Sequence, residues 1–305
     1  MRTTLVIRGD EWLSSVPLHL QLFQELGFKV PKYAHIAPIM KNDNGNKRKL
    51  SKRKDPEASV RFYEEEGIPA EAVKEYLMNI ANSNFENWRR QNKDVPISDF
   101  KLELNKMSVS GALFDMVKLL DISKTVISKM TSEEVYENSL EWANKYSDKL
   151  KELLQNKEYA LKVFGIERGN KKPRKDISKW SDVIDNISYM YDELFYKDDN
   201  LYDFQTINEI EEIKKILKEY IEKYYDEADD KETWFNKIKE LSGEFGYAKE
   251  VKEFKENPGK YKAHVGDVST VLRVALTKRT NTPDMYEIMK ILGKDRIIKR
   301  FELVK

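Results

Sequence analysis

A mainly α-helical fold is predicted for this chain, with a short α/β segment at its N-terminal end. Three observations predict it. The first fifty-odd residues alternate strand, helix, strand and loop, with too few strands for a complete α/β domain. From Asp55 onward the apolar residues recur at helical spacing with few breaks. Across 305 residues there are only 12 Gly and 9 Pro, while 35% of residues are charged and 40% hydrophobic, the composition of a folded, soluble protein and not of a disordered one.

Residues 4–8 (TLVIR) form an apolar run that reads as a buried strand, ended by Gly9. Residues 14–26 read as a helix, with Ser14 or Ser15 as N-cap, Pro17 tolerated in the first turn and Gly27 placed to stop it. Residues 33–40 (YAHIAPIM) read as a second strand, residues 42–46 (NDNGN) as a turn, and residues 47–54 are the basic run KRKLSKRK. Two short helices follow at 57–66 and 69–82, separated by Gly67, with Pro69 starting the second. Further helices are expected at 109–120, 132–146, 148–164, 178–195, 206–226, 230–243, 267–278 and 284–303. The stripe Ile207, Ile210, Ile213, Leu217, Tyr220, Ile221, Tyr224 is typical of them and reads as core. The basic stretch KKPRK at 171–175 is the expected solvent-exposed break.

Composition excludes several chemistries. There is no Cys, so disulfides, thiol catalysis and zinc-thiolate sites are ruled out. His19, His35 and His264 are far apart in sequence and lack metal-ligand spacing, so no protein-bound metal is expected. No apolar run is long enough to span a membrane, and no signal peptide is expected. Net charge is only +1, but it is unevenly spread: residues 1–54 carry a net +7, residues 192–230 a net −9 and residues 260–305 a net +6. Two basic ends around an acidic middle suggest a polyanion gripped at two places. The alternative is a lysine- and glutamate-rich chain that decorates its helices this way.

The pentapeptide KLSKR (Lys49, Leu50, Ser51, Lys52, Arg53) lies on a loop after a strand and a hairpin-like turn. In nucleotidyl transfer from ATP, charge develops on the pyrophosphate leaving group, and a loop that brings a Lys ammonium there lowers the barrier. Most basic pentapeptides are nevertheless solvated loops or general polyanion patches. Context makes this one specific. The stretch VIRGDEWLSSVPLHLQLFQELGF (residues 6–28), then YAHIAPIM, then KLSKR, resembles the second half of the catalytic core of the bacterial-type glutamyl-tRNA synthetase family of class I aminoacyl-tRNA synthetases. The resemblance is ordered and nearly ungapped over about fifty residues. It implies that Lys52 contacts ATP phosphates as the catalytic residue, with Lys49 and Ser51 holding the loop and Leu50 and Arg53 completing it. It further implies that Glu11 and Trp12 lie near the ATP end of the site, and that Arg8 pairs with the carboxylate of substrate glutamate, a task suited to a guanidinium. Without the resemblance Arg8 reads as an ordinary strand-end salt bridge. Leu5 stands where the family commonly carries a polar residue, often His.

Residues 271–300, VLRVALTKRTNTPDMYEIMKILGKDRIIKR, resemble the end of the same family, where LRVALTG, a short loop, a Pro and a helix ending in LLGKER recur. The resemblance implies that the loop between the two helices reads the anticodon. Arg273 matches the arginine that contacts anticodon bases; Thr282, Pro283, Met285 and Tyr286 match residues that pack on and bond to them. Unstacked bases do bind to aromatic and apolar faces, with Arg and backbone groups bonding their edges. Lys278, Arg279, Lys290 and Lys294 are available for phosphates. Met285 and Tyr286 also read as core of the last helix, Met285 as readily as not. Lys278 stands where the family has Gly, so a different turn is expected there. Residues 55–82 and 108–119 align with the family's stem-contact region, whereas 120–260 are recognisable mainly as helices.

The full expectation is a mainly α protein: the remnant of a Rossmann-like α/β catalytic core (1–54), stem-contact helices (55–120) and an all-helical anticodon-binding domain (121–305). The resemblance implies a cytoplasmic monomer whose partners are the tRNA for glutamate, ATP with magnesium, and glutamate. The activity is activation of glutamate by ATP followed by transfer to that tRNA. An HIGH-type motif and the first half of the nucleotide-binding fold are missing from the sequence. The expectation is therefore an engineered fragment or a truncated reading frame that does not aminoacylate alone and exposes apolar surface in residues 1–54. The alternative is a stand-alone RNA-binding module without catalysis; a structural helical scaffold ranks below both.

Overall fold

In the computed structural model, which describes residues 2–199, 201–257 and 259–305, the chain opens on a strand–helix–strand. Strand β1 (Leu5–Gly9) runs parallel to β2 (Lys32–Ile36), with Arg8 opposite His35. A parallel pair needs a crossover, supplied by a 3₁₀ turn at Asp10–Ser15 and helix α1 (Val16–Glu25). Ser15 occupies the N-cap, but its hydroxyl donates back to the Trp12 carbonyl at 2.8 Å and caps nothing. The strand expected over 33–40 is two strands. β2 stops at Ile36, Pro38 cannot donate to a ladder, and Met40 starts a separate hairpin. That hairpin pairs β3 (Met40–Asp43) with β4 (Asn46–Lys49) across a turn in which Asn44 and Gly45 have φ of 51° and 88°, the left-handed pair that suits the twist of a two-residue hairpin.

Helices α2 (Val60–Glu66) and α3 (Ala70–Ala81) follow as expected, with Gly67 in the left-handed conformation (φ 78°) ending the first. A short helix α4 (Phe85–Gln91) was not expected; its Phe85 and Trp88 close on Phe100 at ring separations of 5.0 and 5.2 Å. The helix expected at 109–120 is displaced to α5 (Met116–Ser128). Gly111 adopts φ 79°, and Ala112 and Phe114 instead exchange backbone hydrogen bonds with Met40, which draws residues 112–114 alongside β3. Ile68, Ala72, Tyr76 and Leu119 form the buried core here.

From Ser128 the chain is helical. α6 (Ser132–Tyr146) begins with a reciprocal cap in which Thr131 and Glu134 satisfy each other's backbone N–H groups. The helix expected at 148–164 is two, α7 (Asp148–Leu153) and α8 (Lys157–Gly165), because Asn156 accepts the Tyr159 N–H and starts a new helix. The one expected at 178–195 is broken into single turns, of which α9 (Val183–Ile187) and α10 (Asp192–Phe195) are the α-helical ones. α11 (Ile210–Glu219) widens into a π turn at Tyr220–Tyr224. α12 (Lys231–Glu244), α13 (Val251–Glu256) and α14 (Val265–Thr277) lead to α15 (Met285–Leu292) and α16 (Lys294–Glu302). These last two were expected as one helix; Gly293, at φ 74°, divides them. α14 packs against α11, α12 and α16. Its Val268, Val271, Leu272, Val274, Ala275 and Leu276 have no solvent exposure, and each aliphatic side chain so buried contributes about 1.5–3 kcal/mol.

Two compact units result. The first runs to Ile127 and takes in Ile177–Ser181; the second is Ser128–Asp176 with Asp182–Lys305. Among the described residues no helix is long and apolar enough to cross a membrane.

Candidate functional site

Each unit carries one constellation that its apolar core does not explain. In the first unit Arg8 sits at the end of β1. Its Nε donates to His35 Nε2 at 3.1 Å, Nη1 lies 2.9 Å from His19 Nδ1, and Nη2 donates to the Trp12 carbonyl at 3.2 Å. The guanidinium also stacks over Tyr33 at 4.9 Å and Trp12 at 5.8 Å. The parallel pairing of β1 and β2 sets His35 opposite Arg8, and the crossover helix α1 brings His19 to the same guanidinium. In the sequence both histidines were weighed only as metal ligands, not as partners of Arg8. The available signal was that each falls inside the motif already recognised. Among the described residues no group of three or more His, Asp or Glu side chains is arranged to hold a metal ion.

The KLSKR loop begins at the end of β4. Lys49 makes an ion pair with Glu11 at 3.1 Å, and Glu11 is held below the usual carboxylate range by a backbone hydrogen bond and then by Lys49. The Leu50 N–H donates to the Ile39 carbonyl at 2.9 Å, and the Ser51 carbonyl accepts from both Lys54 and Asp55 N–H. Lys52 and Arg53 are exposed and have no hydrogen-bond or ion-pair partner among the described residues. Trp12 is half exposed.

In the second unit the loop between α14 and α15 carries the other constellation. Arg273, on α14, is half buried, and its Nε has no hydrogen-bond partner among the described residues. Burial, and then the neighbouring Arg174, push its pKa down, against Asp284 and Glu167. Thr282 is buried, with its hydroxyl donating to the Pro283 carbonyl at 3.0 Å. Met285 is buried in the core. Tyr286 is half buried: its hydroxyl donates to the Asp229 carbonyl at 2.9 Å and its ring lies 5.7 Å from Trp234. Pro283 is partly exposed beside it.

Three sequence expectations about this loop change. Arg174, expected in a free basic break, donates to the Thr282 carbonyl at 2.7 Å and pairs with Asp176 at 3.1 Å. Lys278, where a different turn was expected, adopts the left-handed conformation (φ 56°) that glycine takes readily. A non-glycine residue there costs about 1–2 kcal/mol; in compensation its ammonium bonds the Asp198 carbonyl and lies 5.1 Å over the Phe195 ring. Arg279 is likewise taken up by the Asp185 carbonyl and the Ser188 hydroxyl, and Lys290 by the Glu227 carbonyl at 2.5 Å. The cations expected to be open for phosphates are therefore bonded internally, apart from the Lys294 side chain.

Both parts of the chain match known families. Residues 1–121 match the model of the catalytic domain of class I tRNA synthetases (E and Q), and residues 134–304 match that of the anticodon binding domain. The chain is 52% identical over 304 residues to a glutamate–tRNA ligase of Clostridium perfringens, covering 99% of this chain and 55% of that protein. It is 49% identical over 303 residues to the glutamate–tRNA ligase of Acetivibrio thermocellus, with the same coverage. The chain thus spans about half the length of the curated relatives it matches. Crystal structures of a glutamate tRNA ligase from Elizabethkingia meningosepticum and a glutamate-tRNA synthetase from Elizabethkingia anophelis share the fold. Their TM-scores are 0.64 and 0.61 at 22% and 21% identity, covering 99% and 98% of this chain and 57% and 56% of theirs. The chain belongs to the class I (E and Q) tRNA synthetases, of the glutamate–tRNA ligase kind with a helical anticodon-binding domain.

Proposed function

We propose that this chain supplies the KLSKR loop and the anticodon reader of a glutamate–tRNA ligase. That enzyme activates glutamate with ATP and transfers it to its tRNA. Lys52, supported by Lys49, Leu50, Ser51 and Arg53, meets the ATP phosphates, with Glu11 and Trp12 at the same end of the site. Magnesium enters with ATP as part of the substrate. Arg8, oriented by His19, His35 and Tyr33, presents its guanidinium to the glutamate carboxylate. Domain roles follow the same reading: catalytic core over 1–54, stem contact over 55–120 and anticodon binding over 121–305. The chain acts in the cytoplasm as a monomer and does not aminoacylate alone.

Arg273 carries the anticodon part of this reading. It is a half-buried guanidinium beside a second arginine, and its Nε lacks a partner among the described residues. A half-buried guanidinium held beside a second cation is suited to an acceptor on the edge of a splayed base. Pro283 and Tyr286 offer faces for stacking beside it, while Thr282 and Met285 fix the loop from beneath. The test is binding of the chain to glutamate tRNA across a salt series, with wild-type and anticodon-altered transcripts and with Arg273→Ala. Each altered anticodon base should cost about 1–3 kcal/mol, and Arg273→Ala should erase that preference. Binding that falls steeply with salt and ignores the anticodon would sink the assignment.

A further inference from the structure

The basic loop after β4 is organised by one acid. Residues 47–54 include six cations in eight positions, and such a run repels itself unless something gathers it. Lys41 and Arg48 are direct cross-strand partners in the β3–β4 hairpin, a like-charge pairing that is unfavourable by itself. Both turn onto Asp55, which is buried at 2% exposure. Arg48 grips it bidentately, Nη1 to Oδ2 at 2.6 Å and Nη2 to Oδ1 at 2.8 Å. Lys41 Nζ lies 3.1 Å from Oδ1, and the Ser51 N–H donates to Oδ2 at 2.8 Å. The Asp55 N–H in turn donates to the Ser51 carbonyl at 2.8 Å. With four such contacts the acceptor capacity of one carboxylate is filled.

The same carboxylate therefore joins β3, β4 and the middle of the loop, and closes residues 51–55 into a ring. Glu57 takes the remaining charge of Lys41, and Asp43 takes Arg48 Nε at 2.7 Å. Lys41 and Arg48 at the base of the loop are consumed in this way, whereas Lys52 and Arg53, inside the closed ring, stay exposed.

We propose that Asp55 is a positioning residue for Lys52. By sorting the loop's cations into a bonded base and an open tip, it presents the Lys52 ammonium to a phosphate chain. The inference rests on the reading of this loop as the ATP-phosphate contact, and its test separates the two. Native wild-type chain, Asp55→Asn, Asp55→Glu and Arg48→Lys are digested with limiting trypsin. Cleavage after Lys49, Lys52, Arg53 and Lys54 is followed by mass spectrometry, with and without inorganic pyrophosphate.

Asp55→Asn should speed cleavage in the loop at least tenfold. It should also raise the pyrophosphate concentration needed for half-protection at least fivefold, while cleavage within residues 182–305 stays at the wild-type rate. Asp55→Glu, which keeps the charge, should recover much of both effects. Arg48→Lys, which keeps the charge but loses the bidentate grip and the Nε bond to Asp43, should fall between and serves if Asp55→Asn does not fold. Loop cleavage and pyrophosphate dependence within twofold of wild type in both Asp55→Asn and Arg48→Lys would overturn the proposal. Failure of pyrophosphate to protect even the wild type would instead overturn the phosphate reading of the loop, and the cleavage rates alone would then decide whether Asp55 closes it.

Discussion

Helices α1 and α14 are both apolar-rich, yet they end up in opposite circumstances. α14 buries eight of its residues. α1 buries none: Leu18 and Leu22 are 67% and 54% exposed, and Ile7 on the adjoining strand is 51% exposed. The composition of the two segments does not distinguish them. What differs is the number of elements stacked on each. α14 lies among α11, α12 and α16, whereas β1, α1 and β2 make a single two-stranded layer with one helix. Hydrophobic stabilisation follows area removed from water, not area present in the sequence. The buried core therefore resides in helices such as α14, and the α/β segment contributes geometry at its strand ends.

The largest test of that contrast is a pair of truncations. Leu272→Ala, at full burial, should cost about 2–5 kcal/mol in urea unfolding, while Leu22→Ala should change stability by less than about 0.5 kcal/mol. Comparable losses from the two would mean that α1 is covered in solution. A smaller effect separates the helix starts. Thr131→Ala removes a reciprocal cap and should cost about 1 kcal/mol. Ser15→Ala removes a hydroxyl that caps nothing and should change stability by no more than about 0.5 kcal/mol. Equal costs would show that the Ser15 hydroxyl turns to the helix in solution.

The smallest effect is one of sign. Burial raises the pKa of Glu287 above the usual carboxylate value. Its folded state thus favours the proton, and stability is lost as pH rises through the raised pKa. Glu287→Gln should therefore unfold no earlier than wild type at pH 7, and the two should converge as pH falls below about 4. Glu11 is depressed, by its backbone hydrogen bond and by Lys49. It contributes above the usual carboxylate value, and the contribution is lost only as pH falls through the lower folded pKa. Glu11→Gln should then unfold slightly earlier at pH 7 and match wild type only under more acid conditions. Thermal midpoints across pH 3–8 check both, and parallel shifts for the two variants would contradict the opposite environments assigned to them.

Legibility in the sequence tracked how local the controlling physics is. α3 and α6, whose starts are set by Pro69 and by the Thr131–Glu134 cap, lie where periodicity and capping residues put them. The motifs of both candidate loops were also readable, because each is contiguous. The displacement of the 109–120 helix was not, since it depends on Met40 pairing with residues 112–114 seventy positions away. Nor was the break at Gly293, where a single glycine at positive φ divides an otherwise continuous apolar stripe. In the site, Arg8 and Lys52 stood out by motif, whereas His35 gained meaning only when β1 met β2, and His19 only when α1 folded back beside Arg8.

By itself, then, the sequence determined the family, the helical class and which short segments carry chemistry, because those are properties of contiguous residues and their spacing. Only the tertiary structure decided which cations are open and which are consumed. Lys278, Arg279, Arg174 and Arg48 look as available as Lys52 or Arg273 along the chain, yet each is bonded to a carbonyl or carboxylate brought from elsewhere. A charged group's availability depends on what else reaches it within about 3 Å, and that distance is set by folding.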